Sequence, residues 1–311
     1  MRRGGAATSR RAFLTLAAAS AAALKMRPRP GWAADTPLLT RPIPATAEPL
    51  PVIGMGSWIT FNVGGDAALR ADRAEVLRTF FDWGGGLVDS SPMYGSSEEV
   101  IGHCLDRLGD TPGLFSATKV WTWSQWMGRR QMAASERFWG VDGFDLMQIH
   151  NMVDWEAHLE TLMAWKAEGR LRYIGITTSH GRRHRDFARA MAAHPFDFVQ
   201  FTYNVVDREA EQRLLPLAAE RGQAVIVNRP LRGGALFDRV AGRPLPDWAG
   251  EFDCANWAQF FLKFIVSHPA VTCAIPATSR VDHMRENMGA AYGRLPDPDM
   301  RRRMVRLVDE L

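Results

Sequence analysis

Short apolar segments alternate with longer amphipathic segments along most of this chain. The apolar runs that we predict to be strands are 51–57, 87–91, 114–120, 144–150, 173–178, 198–203, 224–229 and 271–276. The segments with helical spacing between them are 67–83, 96–108, 124–139, 155–168, 182–193, 208–221, 253–267 and 281–291. Apolar strands that alternate with amphipathic helices pair in parallel and are covered by those helices. Eight such repeats predict an α/β chain closed into a single (β/α)8 TIM barrel.

Three segments outside the repeats complete the predicted fold. A last helix is expected over 297–309, and the segment 38–50, rich in Pro and Thr, is expected to form a plug or hairpin under the barrel floor. The longest irregular piece is 231–252, and a loop of that length on the catalytic side often gates a ligand. The chain shows no sign of a second domain, so residues 35–311 are predicted to be one barrel.

The first 34 residues resemble a targeting segment. Residues 9–14, Ser-Arg-Arg-Ala-Phe-Leu, are similar to the twin-arginine export motif. The apolar run 13–24 that follows is shorter than the roughly 20 residues that a membrane span needs. Small residues at Ala33 and Ala34 suggest a cleavage region.

We therefore predict that residues 1–34 are a signal peptide, that the export machinery is a partner, and that the protein is periplasmic. The mature protein is expected to have no stable membrane span. The competing interpretation is an amphipathic N-terminal helix. It is disfavoured because the run is apolar on every face and Pro28 and Pro30 stop it.

Charge argues against a nucleic-acid partner. The formal net charge is +4, but residues 1–34 hold seven basic residues and no acid. Without those seven, 31 basic residues face 34 acidic ones, which gives a net charge of −3. The basic character that would favour nucleic-acid binding therefore belongs to the N-terminal segment. The three cysteines, Cys104, Cys254 and Cys273, form no metal-like pair and are expected to be small buried residues.

Four polar residues stand at, or just past, the ends of successive predicted strands: Asp89, Tyr94, Lys119 and His150. The carboxyl ends of all barrel strands converge on one face, so these side chains can meet there. Taken singly, each has a more ordinary role. Asp89 would be a turn former, Tyr94 a packing residue, Lys119 a solvated strand end and His150 a structural hydrogen-bonding group. Together they form a proton-donating site for a carbonyl group.

Lys119 is the most informative of the four. The chain has 34 arginines and only four lysines, so a lysine at the end of an apolar strand is unusual. An ammonium group close to Tyr94 favours the phenolate and lowers the phenol pKa from its usual value near 10. Asp89 can pair with this ammonium, and His150 can hydrogen-bond a substrate oxygen.

Ordered motifs along nearly the whole mature chain resemble the aldo-keto reductases. The matching segments are 54–58 (GMGSW), 85–95 (GGLVDSSPMYG), 97–102 (SEEVIG), 117–119 (ATK), 148–150 (QIH), 169–176 (GRLRYIGI), 199–204 (VQFTYN), 275–280 (IPATSR) and 286–287 (EN). The resemblance implies an NADPH-dependent carbonyl reductase. In it, hydride passes to the carbonyl carbon, Tyr94 protonates the oxygen, Lys119 and Asp89 tune Tyr94, and His150 orients the carbonyl.

The resemblance also implies a nucleotide site without a Gly-rich fingerprint. Gln200 is expected to contact the nicotinamide amide, and Glu286 and Asn287 to hold the adenine. The full set of expected nucleotide contacts is Gly56, Ser57, Trp58, Thr177, Thr178, Gln200, Asn228, Arg229, Pro230, Leu231, Arg232, Thr278, Ser279, Arg280, Glu286 and Asn287. No metal ligand is expected.

The departures from the family pattern lie on the cofactor side. Thr178 replaces an asparagine that usually contacts the nicotinamide amide, and Asn228 or Arg229 replaces a stacking ring. A lysine and an arginine usual near the 2′-phosphate become Ala277 and His283, which leaves Arg280 as the charge for that phosphate. NADP is therefore the expected cofactor and NAD the alternative.

The substrate pocket and the supply of the nucleotide are two further aspects of the expected function. The aromatic residues Trp58, Phe61, Trp121, Trp123 and Trp126 are candidates for a substrate pocket, but packing is the favoured role for Trp126. An exported reductase is expected to carry its nucleotide with it and to be recharged by a second substrate or a redox partner.

The competing function is a nucleotide-sensing or partner-binding barrel with little turnover. A metal-dependent hydrolase is disfavoured because no strand end shows a His-x-His or carboxylate cluster. The cluster of His180, Arg182, Arg183, His184 and Arg185 is interpreted as a solvated helix start.

Overall fold

The computed structural model describes residues 36–311. The predicted signal peptide, residues 1–34, lies outside the described residues. The described chain begins with an antiparallel hairpin of β1 (Thr40–Pro42) and β2 (Pro49–Pro51). Ile43 and Leu50 of this hairpin are buried against the first residues of barrel strands such as Leu87 and Phe115. The hairpin therefore closes the N-terminal end of the barrel, as the sequence predicted.

The strands that follow the hairpin form one parallel sheet whose order follows the chain. They are β3 (Met55–Gly56), β4 (Leu87–Asp89), β5 (Phe115–Val120), β6 (Leu146–Ile149), β7 (Tyr173–Thr177), β8 (Phe198–Thr202), β9 (Ala224–Asn228) and β10 (Cys273–Ala274). Parallel bridges between Ile53 and Ala274 and between Gly56 and Ala277 join the first strand of this sheet to the last. The predicted (β/α)8 barrel is thus confirmed.

The helices pack outside this sheet. They are α1 (Ala67–Asp82), α2 (Ser97–Leu108), α3 (Gln125–Trp139), α4 (Trp155–Ala167), α5 (His184–Ala193), α6 (Leu214–Arg221), α7 (Ala235–Arg239), α8 (Trp257–Val266), α9 (Val281–Gly289) and α10 (Pro298–Asp309). Side-chain caps begin several of them: Asp66, Ser124, Asn256 and Asp297 each accept a hydrogen bond from a free backbone N–H of the first turn. The final helix begins within one residue of its predicted start.

Several predicted boundaries were wrong, for local physical reasons. The helix expected over 208–221 begins only at Leu214. Pro216 lacks an N–H, so it is tolerated in the first helical turn but would break the interior of a helix that began at residue 208. The helix expected over 253–267 begins after Asn256, whose side chain caps it. The strand expected over 51–57 shortens to Met55–Gly56, because residues 49–51 pair within the hairpin instead.

The long segment 231–252 is more ordered than predicted. It contains α7 and a 3-10 turn at Asp247–Phe252. All three cysteines are free and buried, as expected. Within residues 36–311, no helix combines the length and the apolar character that crossing a membrane requires.

Candidate active site

A buried ion pair between Asp89 and Lys119 forms the base of the site. Neighbouring parallel strands β4 and β5 bring both residues to the carboxyl end of the barrel. Lys119 Nζ lies 2.5 Å from Asp89 Oδ2 and donates to the Ser90 carbonyl at 2.7 Å. Burial alone lowers the pKa of Lys119, but the charges and hydrogen bonds of Asp89 and Tyr94 raise it above its ordinary value. The amine therefore stays charged although it is fully buried.

Two amide side chains hold the other carboxylate oxygen of Asp89. Gln148 Nε2 donates to Oδ1 at 2.9 Å and Gln200 Nε2 donates to it at 3.0 Å. Sequence reasoning did not select Gln148 as a site residue. A signal was available, because Gln148 is two residues from Leu146 on β6 and so faces the barrel interior with it. A polar side chain at an interior position needs a buried partner.

Tyr94 lies on a short helical turn, Pro92–Tyr94, that directly follows β4. Its ring centroid is 5.3 Å from Lys119 Nζ. Burial raises the pKa of Tyr94; Lys119 lowers it, by its charge and by a hydrogen bond, and Asp89 raises it, so the pKa lies above its ordinary value. The ammonium lowers the phenol pKa as predicted, but burial raises that pKa by more. The phenol is therefore protonated at neutral pH and available as a donor.

His150 contacts Tyr94 and is neutral. The two rings are perpendicular, with centroids 5.6 Å apart, and His150 Nδ1 lies 2.7 Å from Ser91 Oγ. Burial, with a contribution from the charge of Lys119, lowers the pKa of His150 to about 2. The chain turns sharply after His150, where Asn151 has a φ of 52° and donates its N–H to Thr177 Oγ1 at 2.9 Å. The imidazole is therefore neutral because its pKa is low, and the bond with Ser91 holds its position.

A cavity of about 520 Å³ opens above these residues. Asp89, Tyr94 and His150 line one part of it. The predicted nucleotide contacts that also line it are Gly56, Ser57, Trp58, Thr177, Gln200, Asn228, Arg229, Pro230 and Leu231. The remaining predicted contacts lie outside its lining: Thr178, Arg232, Thr278, Ser279, Arg280, Glu286 and Asn287. His180 and His283, which were not in the predicted set, line the cavity.

The side chains predicted to contact the nicotinamide form hydrogen bonds with other protein groups. Besides Asp89, Gln200 Nε2 donates to Gln148 Oε1 at 3.1 Å. Asn228 Nδ2 donates to the Thr178 carbonyl at 2.8 Å, and Asn228 Oδ1 accepts from Thr202 at 2.7 Å. Asn228 Nδ2 also donates to Gln200 Oε1 at 3.4 Å, so these bonds form a continuous polar network from Asp89 to the end of β9.

The segment expected to bind the 2′-phosphate is tied to the barrel wall. Arg73 of α1, which is buried, donates to the Ser279 carbonyl at 3.1 Å and to the Thr60 carbonyl at 2.6 Å. The guanidinium of Arg280 is exposed and pairs with Asp282, with Nε 3.0 Å from Oδ1. The positive charge expected for the phosphate is therefore balanced by a neighbouring acid.

The aromatic residues separate into three groups. Phe61 is fully buried in the core, so its predicted place in a substrate pocket was wrong. Trp58 lines the cavity and is 42% exposed. Trp121, Trp123 and Trp126 are exposed on the loop and helix after β5 and do not line the cavity.

The histidine cluster after β7 does not assemble a metal site. His184 pairs with Glu209 at 3.2 Å at the start of α5. In the described part of the chain, no three His, Cys, Asp or Glu side chains are grouped so that they could hold a metal ion.

Comparison with known proteins places these features in a family. Residues 52–304 match the model of the aldo/keto reductase family. The methylglyoxal reductase YeaE of Escherichia coli is 26% identical over 250 residues, which covers 76% of this chain and 84% of that protein. The NADH-specific methylglyoxal reductase of the same organism is 26% identical over 247 residues, covering 67% and 72%.

Solved structures show the same fold. The aldo/keto reductase from Klebsiella pneumoniae in complex with NADP and acetate superposes with a TM-score of 0.71. It is 24% identical, and the match covers 84% of this chain and 93% of that one.

Proposed function

The chain belongs to the aldo/keto reductase family, an NAD(P)-dependent oxidoreductase family, and we propose that it reduces an aldehyde or a ketone to an alcohol with NADPH. In this proposal Tyr94 is the proton donor. The observation that carries the proposal is the joint position of a neutral phenol, a neutral imidazole and a buried ammonium–carboxylate pair at one end of the barrel. This combination supplies a proton and stabilises the negative charge left after its transfer.

The cavity fits a nicotinamide nucleotide by the chemistry of its lining. Arg182 and Arg229 line it, and Asp89 is the sole carboxylate among its described lining residues. Since Lys119 neutralises Asp89, the cavity favours an anionic ligand. Gln200 and Asn228 would hold the amide of the nicotinamide. When bound, the nucleotide would supply hydride to the carbonyl carbon of the substrate. The NADP complex of the Klebsiella protein favours NADP, and the NADH-specific relative keeps NAD as the alternative.

The roles of the chain's own residues follow from their protonation. His150, which carries one N–H, orients the carbonyl oxygen towards Tyr94. Tyr94 gives its proton to that oxygen, and Lys119 stabilises the resulting phenolate by its charge. Asp89 keeps Lys119 protonated, and Gln148 holds Asp89 in place. The hydrogen bonds from Gln148 and Gln200 to Asp89 Oδ1 thus act on Tyr94 indirectly, through Asp89 and Lys119.

The proposal is tested by removing one hydroxyl. NADPH consumption is followed with a panel of aldehydes, ketones and quinones for the wild type, Tyr94→Phe and Tyr173→Phe. General acids contribute about 10²–10⁴-fold, so Tyr94→Phe should lose at least 100-fold in turnover while nucleotide affinity stays nearly unchanged. Tyr173→Phe is the control, because its hydroxyl bonds Thr46 and Glu48 near the N-terminal hairpin. Substantial turnover by Tyr94→Phe would contradict the proposal.

A second candidate function is a nucleotide-sensing or partner-binding barrel. The observation that favours it is the engagement of Gln200, whose amide nitrogen already has two acceptors, Asp89 and Gln148. Nucleotide binding by the wild type without turnover of any substrate in the panel would support this candidate. Turnover that depends on the Tyr94 hydroxyl would exclude it.

We further propose that residues 1–34 direct export by the twin-arginine route and that the protein works in the periplasm. The support is the Arg10–Arg11 pair within its motif and the short apolar run behind it. The folded chain would carry its nucleotide across and be recharged by a second substrate or a redox partner. Fractionation of the wild type and of Arg10→Lys/Arg11→Lys tests the route, and the double variant should stay in the cytoplasm. A periplasmic protein that is correctly folded without nucleotide would contradict the carried-cofactor hypothesis.

A further inference from the structure

We propose that Ser91 is a positioning residue for proton donation, because its hydroxyl fixes His150 in the neutral tautomer that bears its hydrogen on Nε2. The inference rests on the proposed carbonyl reduction for its catalytic consequence, but the tautomer itself can be measured without turnover. Neither the motif similarity nor the four-residue constellation assigns a role to this hydroxyl.

The hydrogen bonds of Ser91 define the direction of its hydroxyl. Among residues 36–311, its Oγ has two hydrogen-bond partners: the backbone N–H of Met93 at 3.2 Å and His150 Nδ1 at 2.7 Å. The Met93 N–H is a donor, so it uses a lone pair of Oγ and leaves the hydroxyl hydrogen free. Ser91 is fully buried. Its hydrogen therefore needs an acceptor within the protein, and Nδ1 is the one within reach.

The opposite tautomer leaves a buried donor without a partner. If Nδ1 carried the hydrogen, it would donate to Oγ, which already accepts from Met93. The hydroxyl hydrogen would then point into a buried region without an acceptor, which is costly. The local geometry thus selects an unprotonated Nδ1 and, because the ring is neutral, an Nε2–H group.

This selection matters for a carbonyl substrate. A carbonyl oxygen accepts hydrogen bonds, so an Nε2–H group attracts it and a bare Nε2 lone pair repels it. His150 lines the cavity but is only 5% exposed, so water can hardly stabilise the tautomer that bears its hydrogen on Nδ1. The orientation of the substrate oxygen towards Tyr94 therefore depends on a hydroxyl that does not itself line the cavity.

Ser91 also sets the position of Tyr94. It precedes the turn Pro92–Tyr94, its hydroxyl caps that turn, and its carbonyl accepts from the Tyr94 N–H at 2.9 Å. Ser91 thus bonds both residues whose rings meet at right angles. Ser91 has an extended backbone, with φ −164° and ψ 146°, so threonine can take its place without backbone strain.

The first experiment observes the tautomer directly. Full-length protein labelled with ¹⁵N-histidine is measured by long-range ¹H–¹⁵N correlation, which distinguishes Nδ1–H from Nε2–H. The chain has eight histidines, and His150→Gln assigns the signal by its loss. We expect Nε2–H in the wild type and in Ser91→Thr, and a mixture or Nδ1–H in Ser91→Ala. An Nδ1–H wild type, or an unchanged Ser91→Ala, overturns the proposal.

The second experiment separates a local effect from a loss of fold. Ser91→Ala should lower kcat/KM for the carbonyl substrate about tenfold, which is the size expected for one lost hydrogen bond, while nucleotide affinity stays unchanged. Ser91→Thr should restore most of that loss. Ser116→Ala removes another buried serine hydroxyl, which bonds Asp145 away from the cavity, and should change neither readout.

A double-substitution cycle completes the test. In a His150→Gln background, Ser91→Ala should cost clearly less than in the wild-type background, because only the cap on the Pro92–Tyr94 turn is then left to lose. An equal loss in both backgrounds would mean that the hydroxyl acts on the fold and not through His150, and would overturn the proposal. If no carbonyl compound is turned over at all, the proposed function fails, and the tautomer measurement still decides the role of Ser91.

Discussion

Lys119 and Lys263 are both fully buried, but their surroundings differ in one respect that separates chemistry from architecture. Lys119 faces a carboxylate, Asp89, at 2.5 Å, beside a titratable phenol. Lys263 of α8 donates to four backbone carbonyls, those of Phe252, Asp253, Tyr292 and Arg294, at 2.8–3.1 Å. The ammonium of Lys119 thus has a compensating negative charge, whereas the ammonium of Lys263 has only carbonyl dipoles as direct partners.

The pKa values of the two amines shift in opposite directions. The negative groups around Lys119 overcome burial and raise its pKa, whereas burial lowers the pKa of Lys263 to about 8. Lys263 ties the 3-10 turn Asp247–Phe252 to the chain after α9, and none of its acceptors lines the cavity. In the proposed function, the buried lysine that takes part in the chemistry is the one whose charge an acid fixes next to a second proton-bearing group.

Lys119→Met gives the largest expected effect. It leaves the Asp89 carboxylate buried without its cation, which costs about 3–5 kcal/mol of unfolding free energy. It also removes the charge that stabilises the Tyr94 phenolate, so turnover should fall to background. Steady-state kinetics and urea unfolding measure the two losses. Lys119→Arg should not restore turnover, because a planar guanidinium cannot occupy the position of the amine. An active Lys119→Met would remove the distinction between the two lysines.

Lys263→Met should affect stability without affecting chemistry. Buried carbonyls that lose their donor cost about 1–3 kcal/mol each when they stay unsatisfied, so we expect a loss of about 3 kcal/mol after partial rearrangement. The values of kcat and KM should stay within about twofold of wild type, since the cluster lies outside the cavity lining. A loss of turnover in a folded Lys263→Met would show that the two regions are coupled.

The pH dependence of stability sharpens the contrast. The pKa of Lys263 falls from 10.5 to about 8 on folding, so the unfolded chain binds more protons between these values. The stability of the wild type relative to Lys263→Met should therefore rise between about pH 8 and 10.5. For Lys119 the pKa is raised, so its stabilising contribution is fully present below pH 10.5 and is lost only above it. Urea unfolding across this range and above it measures both contributions. A stability difference between the wild type and Lys263→Met that does not change with pH would contradict the comparison.

The exposed pair of Arg280 and Asp282 should give the smallest effect. The Arg280 hydrogen bond and charge lower the pKa of Asp282, but both side chains are exposed and water screens them. Asp282→Asn frees the guanidinium for a 2′-phosphate, so NADPH affinity should rise roughly threefold while NADH affinity stays constant. Fluorescence titration with both nucleotides measures this ratio. An equal change for both would place Arg280 away from the 2′-phosphate.

The barrel and the meeting of the four residues were predictable because they depend on periodicity and topology. Alternating apolar and amphipathic segments identified the strands, and parallel pairing brings Asp89, Lys119 and His150 to one end. The start of α6 was missed because the helical spacing extends upstream of Pro216, although the proline restricts where the first turn can lie. Local backbone rules therefore corrected the boundaries without changing the fold.

The supporting hydrogen bonds were not predictable from spacing. Gln148 and Ser91 are neutral residues whose partners Asp89 and His150 are 59 residues away in sequence in both cases. The net pKa of Tyr94 also depends on burial, which no motif reports. The sequence identified the four residues of the constellation and Gln200, whereas the supporting roles of Gln148 and Ser91 appeared only with their distances.

The measurement that tests the central claim most directly is the titration of Tyr94. The chain has four tyrosines, so ¹³Cζ-tyrosine labelling gives a spectrum that Tyr94→Phe assigns. Lys119 lowers the pKa of Tyr94 and Asp89 raises it. Lys119→Met should therefore move the Tyr94 midpoint to higher pH than in the wild type, whose Tyr94 titrates above its ordinary value. A midpoint that stays unchanged or moves to lower pH in Lys119→Met would contradict electrostatic control of the phenol by Lys119.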